Sequence, residues 1–373
     1  MSLRLEVVST PQRFAELQDS WDTLWHRSSG YVFQSHVWIS AWISGISCQK
    51  DIRLLIGLAW DGDTLVGALP CAVHRRAGLR VLQWAAQRFS DYCDCLIDPD
   101  RPDAMETLWD GIGRAGGFDL IALQQIRPDA HCHGFLQNLA GSGGAIEPGD
   151  RQERCMRIEN HWPSGHAFFR SLNKKGRNNH TRGKRILSEL GGEVAFEVRE
   201  PDADVQALLD TAVAWKLAWL RQVEPNSPLF TTDYPVFTTL LNAAWRQCPA
   251  KLFLLTCGGT MVAASLNFVY GGRMEAYFTA YDPAYERASP GTILIVEYSE
   301  WAFDRGLSHV DFLRGEEPFK FRLSNAETVI GSYSGARTLL GRIAVSGHRW
   351  LARHRHKNEV AAPQPAEAMA AAD

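Results

Sequence analysis

The sequence has no long apolar run and no recognisable export signal. Its longest apolar stretches, such as Leu54 to Trp60, are far shorter than the roughly 20 residues that span a bilayer. Residues Met1 to Pro11 lack the basic segment and apolar core of a secretory signal. We therefore expect a cytoplasmic protein, and peripheral contact with the inner face of a membrane stays open.

The sequence also lacks paired cysteine motifs. Its eight cysteines are scattered, and the only short clusters are Cys93-x-Cys95 and His131-Cys132-His133. These clusters have zinc-binding residue types, but zinc ligands usually come as cysteine pairs roughly two to four residues apart. We expect buried free thiols and no metal site.

No Gly-x-Ser-x-Gly elbow or Walker loop is present, so the common serine-hydrolase and nucleoside-triphosphate motifs are missing. What is present is an ordinary globular composition: 373 residues, 45% apolar and 22% charged. This composition excludes disordered, collagenous and coiled-coil chains, and the length favours two domains. The net charge of −3 predicts no general attraction to polyanions, although 13 tryptophans indicate large cores or binding grooves.

Positive charge is concentrated in two segments. Residues 170–187 carry seven basic side chains and no acidic one, and residues 337–357 carry six basic side chains, three histidines and no acidic one. The rest of the chain has 26 basic against 42 acidic residues. Two interpretations remain open for each segment: a solvated helix face, or a site for an anion such as a phosphate, a nucleotide or a lipid headgroup.

An internal repeat supports two domains. Asp61 to Val73 aligns without gaps to Cys257 to Val269 at an offset of 196 residues, and each block follows an apolar strand and precedes a helix that ends in glycine. We predict a duplicated α/β unit with domains at 1–150 and 151–335, a basic helix at 336–360 and a disordered tail at 361–373. Within the second domain we predict two helical pieces broken near Gly176, an amphipathic helix around 205–219 and a three-strand meander from 252 to 281.

The stretch from 277 to 322 carries the strongest functional signal. A strand leads to Arg287-Ala-Ser289-Pro-Gly291-Thr292, which opens a helix. A helix N-terminus offers free N–H groups and a positive dipole end, so this turn predicts a phosphate site beside Arg287. After the helix comes Asp311-Phe-Leu-Arg314-Gly-Glu316-Glu-Pro-Phe-Lys320.

These motifs resemble those of the CelD/BcsL family of GNAT-type acetyltransferases, which is related to the FemABX aminoacyltransferases. The basic segment Leu172 to Leu187 and the run Phe89-Ser-Asp-Tyr-Cys-Asp94 also resemble elements of that family. The resemblance covers roughly Phe33 to Arg322. It implies an α/β (α+β) fold of two tandem GNAT-like domains, each a mixed central sheet flanked by helices, with acetyl-CoA or another acyl-CoA as donor. The turn at Gly291 has one glycine where GNAT enzymes usually have a glycine-richer loop, so the donor is less firmly implied than the fold.

The resemblance also implies site residues. Arg287, Ser289, Gly291 and Thr292 would bind the donor. Acyl transfer needs a proton acceptor and a group that stabilises the oxyanion. Candidate catalytic residues are Lys320, which would position the acceptor or the oxyanion, the possible bases Asp311, Glu316 and Glu275, and Tyr281, which would protonate the leaving thiolate. Ser90, Asp91, Tyr92 and Arg314 would bind the acceptor in a groove between the two halves.

We expect an N- or O-acyltransferase that modifies a sugar or a lipid-linked sugar in exopolysaccharide synthesis. Two alternatives stay open: a FemABX-like aminoacyltransferase that acts on a peptidoglycan precursor, and a nucleotide-responsive binding protein with a degenerate GNAT site. The C-terminal basic segment would be either a packed amphipathic helix or a regulatory site for cyclic di-GMP or anionic lipid, through Arg342, Arg349, Arg353 and Arg355. The sequence does not indicate an oligomeric state.

Overall fold

The chain forms one mixed sheet of 14 strands with helices on its faces. A computed structural model describes residues 3–143 and 146–345. The strands are β1 (Arg4–Val8), β2 (Ile52–Asp61), β3 (Thr64–Arg76), β4 (Leu79–Trp84), β5 (Leu96–Ile97), β6 (Leu120–Ile126), β7 (Ile146–Pro148), β8 (Glu153–Glu159), β9 (Val194–Arg199), β10 (Ala250–Cys257), β11 (Thr260–Tyr270), β12 (Arg273–Tyr281), β13 (His309–Asp311) and β14 (Ala326–Ala336).

Eleven α-helices with defined bounds lie between these strands in the described part of the chain, and residues 339–345 are also helical. The helices are α1 (Pro11–Ala15), α2 (Gln18–Arg27), α3 (His36–Gly45), α4 (Ala104–Ala115), α5 (His133–Gly141), α6 (Gly165–Ser171), α7 (Lys174–Gly191), α8 (Ala203–Val223), α9 (Tyr234–Gln247), α10 (Pro290–Asp304) and α11 (Pro318–Leu323). None of the described helices is long and apolar enough to cross a bilayer.

The two halves of the sheet repeat one plan. The strand order is β1-β2-β3-β4-β6-β14-β8-β13-β12-β11-β10-β9. On each side an antiparallel meander is followed by a helix and by a strand parallel to the last strand of the meander: α4 and β6 in the first half, α10 and β13 in the second. The expectation of tandem GNAT-like units, each with a mixed sheet flanked by helices, is confirmed.

The internal repeat is visible in backbone detail. The β2–β3 hairpin has a register irregularity between Ala59 and Trp60, and the β10–β11 hairpin has one between Leu255 and Thr256, 196 residues later. Both turns contain a glycine in the left-handed region, Gly62 with φ 60° and the equivalent Gly258 with φ 56°. The two hairpins therefore share the positions of their bulge and of their turn glycine. This agreement supports the duplication inferred from the sequence alignment.

Strand β14 joins the halves. It pairs antiparallel with β8 through residues 326–330 and with β6 through residues 331–336. The last described strand therefore contributes to both parts of the sheet. The domain boundaries at 150 and 335 remain a prediction.

An aromatic core lies between the halves. Trp38 and Trp42, which the sequence places on one face of α3, are both buried. The Trp38 ring lies edge-on to Phe268 of β11, with ring centroids 6.4 Å apart. Apolar side chains from both halves thus form one continuous core, which fixes their relative position.

Some local predictions were wrong. The basic segment breaks at Leu172 and Asn173, not near Gly176, because the Asn173 side chain caps α7 by accepting a hydrogen bond from the Gly176 N–H at 2.8 Å. Nearer the N-terminus, residues 11–27 contain two helices, α1 and α2, and residues 92–97 contain only the short strand β5.

The cysteine prediction is largely confirmed. All eight cysteines are free thiols, and seven of them are buried, whereas Cys48 is exposed. Burial raises the pKa of Cys95 to about 11. Such thiols remain protonated near neutral pH and act as small apolar groups.

Candidate active site

A cationic cavity of about 750 Å³ lies between α7 and the N-terminus of α10. Its walls include Lys175 and Arg182 from α7, Arg287 and Ser289 before α10, and Arg322 from α11. None of the described residues that line it is acidic. The cavity therefore combines several positive side chains with the positive end of a 15-residue helix, an arrangement that suits phosphate groups.

The predicted donor residues fall on two sides of this helix start. Arg287, Ser289 and Thr292 line the cationic cavity, where the sequence places them. Gly291 does not line it: a Cβ atom at this position would lie 3.2 Å from the Tyr281 ring. The lack of a side chain at Gly291 allows α10 to pack closely on β12, which is a different reason for glycine from the close approach to a donor that we expected.

The basic residues of α7 have different surroundings. Lys184 and His180 both contact Glu297 of α10, at 2.8 and 3.1 Å, and so tie the two helices together. Arg185 is exposed and pairs with Glu189 on its own helix. Some basic side chains of this segment therefore line a cavity and others face solvent, so both interpretations stay open.

The sheet opens next to this cavity. Strands β12 and β13 pair in parallel only as far as Glu275 and Asp311, while β12 continues to Tyr281. Beyond Asp311 the chain turns away, since the Phe312 N–H donates to the Met156 carbonyl on the β8 side. A register shift opposite Leu266 and Asn267 makes Tyr277 a bulge residue at the same level. One backbone edge of β12 is thus free to bind an extended molecule.

A second cavity, of about 270 Å³, lies at this opening. We call it the aromatic cavity because Tyr277, Phe278, Phe312 and Phe319 line it. Phe319 also lines the cationic cavity, so the two cavities meet at this ring. The charged residues in its walls are Asp91, Lys216, Arg314, Glu317 and Lys320.

The structure brings Asp91 and Lys320 into one cavity from opposite halves of the chain, as the sequence predicts. Burial raises the pKa of Asp91 to about 6, although the charges of Arg314 and Lys320 oppose this shift. The Asp91 carboxylate accepts no hydrogen bond from the residues that the structure describes. It is therefore a carboxylate that can exchange a proton near neutral pH.

Lys320 is a buried helical residue. It lies on α11 and is only 5% exposed. Its ammonium group pairs with the Glu317 carboxylate at 2.9 Å and donates to the Arg314 carbonyl. Burial opposes ionisation of Glu317, but the charge and the hydrogen bond of Lys320, together with a backbone hydrogen bond and the charge of Lys216, lower the pKa of Glu317. The Arg314 guanidinium is in turn bound by Glu153 at 2.9 Å.

Several other predicted site residues point away from the cavities. Ser90 is buried, and its hydroxyl accepts from the Trp38 indole and donates to the Ala86 carbonyl, each at 3.1 Å. The Tyr92 hydroxyl donates to Asp311 at 2.8 Å. Arg127 also contacts that carboxylate, at 3.3 Å. These residues form a polar contact inside the protein, where a substrate has no access to them.

The remaining candidates also lie outside the cavity walls. Glu275 is fully buried and pairs with Arg273 at 3.0 Å. Glu316 is exposed, and the neighbouring Glu317 lines the cavity in its place. Tyr281 packs against Gly291 beside α10. Catalytic roles for these three residues remain predictions without support from their position.

Two cavity residues were missed from the sequence. Lys216 lies on α8 between two tryptophans. The apolar spacing predicts this helix, but it does not predict that the lysine side chain lines a cavity. Glu317 had a usable signal, since a glutamate three residues before Lys320 is at pairing distance on a helix.

The predicted C-terminal anion site falls largely outside the described residues. Arg349, Arg353 and Arg355 lie beyond residue 345. Arg342 lies in the helical stretch 339–345 and is exposed. Arg337 packs on the Phe118 ring at 5.2 Å.

Comparison with known proteins agrees with this geometry. The family model described as Acetyltransferase (GNAT) domain matches residues 174–321, which include α7, the β10–β12 meander, α10 and Lys320. No curated protein matches the sequence.

Solved structures match nearly the whole chain at low sequence identity. FemX is 12% identical, with 90% of this chain and 97% of FemX covered and a TM-score of 0.58. The C-terminal domain of a putative lysylphosphatidylglycerol synthetase from Agrobacterium fabrum is 12% identical, with 89% and 95% covered and a TM-score of 0.51. L-PGS from Bacillus licheniformis is 11% identical, with 88% and 95% covered and a TM-score of 0.50. These likenesses show the fold, and the family match identifies residues 174–321 as an acetyltransferase (GNAT) domain, which supports an acyltransferase.

Proposed function

We propose that the protein transfers an acyl group from an acyl-CoA, with acetyl-CoA as the reference donor, to an amine or hydroxyl held in the aromatic cavity. The observation that carries this proposal is the junction of the two cavities at Phe319. One cavity suits the phosphates of CoA, and the other contains a carboxylate whose pKa is about 6.

The donor would extend from one cavity to the other. Its phosphates would lie against Arg182, Arg287 and the start of α10, and its pantetheine arm would follow the free edge of β12. Amide groups in that arm match the backbone N–H and C=O groups that β13 leaves unpaired beyond Glu275. The thioester would then reach the aromatic cavity.

Transfer needs one new bond and one proton movement. The acceptor nitrogen or oxygen attacks the thioester carbonyl carbon, and the carbon–sulfur bond breaks to release CoA. Asp91 accepts the proton that the acceptor loses, since its carboxylate faces the cavity without a competing hydrogen bond. Lys320 places a positive charge in the same cavity, where it would stabilise the negative charge that develops on the carbonyl oxygen.

We further propose that the acceptor is a sugar or lipid-linked sugar of exopolysaccharide synthesis, as in the CelD/BcsL family. The support for this finer assignment is the motif resemblance at Ser90–Tyr92 and at Asp311–Lys320. A FemABX-like aminoacyltransferase is the second candidate. The fold likeness to FemX over 97% of that chain favours it, as do the basic side chains of α7, which suit a nucleic-acid donor.

The two candidates differ in their donor. The purified protein is incubated with acetyl-CoA and a panel of amino sugars. A parallel reaction contains charged tRNA and the same acceptors. The release of free CoA and the mass of the products are measured. Product from acetyl-CoA that is lost in Asp91→Asn but kept in the exposed control Asp110→Asn supports the proposal. Transfer only from charged tRNA would replace it with the second candidate.

A further inference from the structure

The charges in the aromatic cavity are unequally paired. Lys320 forms an ion pair with Glu317, and Arg314 forms one with Glu153. Lys216 forms no hydrogen bond or ion pair with the residues that the structure describes, and the same is true of Asp91. An apolar cavity with one unpaired cation and one unpaired carboxylate in its walls is complementary to a ligand that carries both charges.

The position of Lys216 favours an external partner. Its ammonium nitrogen lies 4.3 Å from the centroid of the Trp219 ring one helical turn later. A ring face attracts the cation without accepting its N–H groups in strong hydrogen bonds, so those donors stay free. Trp219 is 40% exposed, so the Lys216–Trp219 pair lies next to solvent.

The walls near Lys216 offer few competing polar groups. Val213, Leu217 and Leu220 from α8 line the same cavity. Burial lowers the pKa of Lys216; the nearby charge of Glu317 opposes this shift, and that of Lys320 adds to it. An anion that enters would therefore remove an existing electrostatic penalty as well as form a new ion pair.

We propose that Lys216 is a specificity-determining residue that binds an anionic group, a phosphate or a carboxylate, on the acceptor. This inference rests on the proposed function, because it takes the aromatic cavity as the acceptor site. Asp91 would face the amine or hydroxyl to be acylated, and Lys216 would bind the anion. The acceptor class is thus an amphoteric molecule such as a phosphorylated or carboxylated amino sugar, and neutral amino sugars would be poor acceptors.

The test compares glucosamine with glucosamine 6-phosphate and with muramic acid, which carries a carboxylate. Each sugar is titrated by calorimetry into protein saturated with CoA, so that the cationic cavity is already filled. We expect the wild-type protein to bind at least one anionic sugar about tenfold or more tightly than glucosamine. Lys216→Met should abolish that preference, whereas Lys50→Met, an exposed lysine far along the chain, should retain it. The phosphate and carboxylate arms identify which anion is bound.

Equal binding of neutral and anionic sugars, binding of none of them, or an unchanged preference in Lys216→Met would overturn the proposal. Thermal melts of both variants show whether the fold is kept, and Lys216→Arg, which keeps the charge, should keep the preference for anionic sugars. The same samples are assayed for CoA release from acetyl-CoA. A preference for anions without any transfer would contradict the proposed function alone, and transfer without a preference would contradict the role of Lys216 alone.

Discussion

The Tyr92 hydroxyl donates a hydrogen bond of 2.8 Å to the Asp311 carboxylate, which joins two residues 219 positions apart in the sequence. Asp311 also accepts from the Leu313 N–H at 2.7 Å and contacts Arg127. Burial raises the pKa of Tyr92 well above its ordinary value, so the phenol keeps the proton that it donates. The contact links the two halves of the protein at the end of β13.

We predict that Tyr92→Phe destabilises the protein. A buried hydrogen bond to a charged group contributes about 1.5–3 kcal/mol, so the free energy of unfolding should fall by about that amount. Equilibrium urea unfolding measures the change, with the exposed Tyr234→Phe as control. A Tyr92→Phe protein of wild-type stability and raised acceptor KM would instead return Tyr92 to the binding role that the motif suggests.

A second prediction concerns Asp91 and pH. A general base works only when ionised, so with a pKa of about 6 the turnover number should be constant above that pH and fall as the pH drops below it. Asp91→Asn should lower turnover by about 10²–10⁴-fold and remove the dependence on this group.

The measurement is the turnover number at saturating substrates between pH 5 and 8, compared between the two proteins so that titration of the acceptor affects both equally. Asp110→Asn, an exposed substitution on α4, should behave as wild type. The same acid limb in Asp91→Asn would mean that another group accepts the proton.

A third prediction separates two roles of Lys320. Lys320→Met leaves Glu317 without its partner in a partly buried site, so we expect a loss of stability of about 1–3 kcal/mol in addition to lower turnover. Adding Glu317→Gln removes the unpaired charge and should restore part of the stability without restoring turnover. Thermal unfolding and steady-state kinetics on the single and double variants check both. Full turnover in the double variant would make Lys320 a structural residue.

Elements with local signals could be predicted from the sequence. The meander β10–β12 follows from apolar runs separated by Gly258-Gly259 and Gly271-Gly272, whose positive φ angles make the turns. Helix α10 follows from the Ser-Pro-Gly start and ends near Gly306, as expected. Such signals lie within a few residues of the element that they specify.

Nonlocal features could not be predicted in the same way. Strand β14 gave no clear signal in the sequence. It is specified by pairing with β8 and β6, which lie about 170 and about 210 residues earlier in the chain. The Ser90-Asp91-Tyr92 motif marks the correct region, but only packing against Trp38 and Asp311 decides that Asp91 alone faces the cavity. Lys216 joins the site because α8 crosses β12, which no spacing within the sequence reveals.

The proposed acyl transfer requires that CoA binds in the cationic cavity. Calorimetric titration of CoA into the wild-type protein, Arg182→Ala, Arg287→Ala and Arg185→Ala tests it directly, since Arg182 and Arg287 line the cavity whereas Arg185 on α7 is exposed and pairs with Glu189. Each cavity variant should bind CoA about tenfold or more weakly, as expected for loss of a charge-assisted contact to phosphate, and Arg185→Ala should match wild type. No CoA binding by the wild type, or equal affinity in all four proteins, would contradict the account.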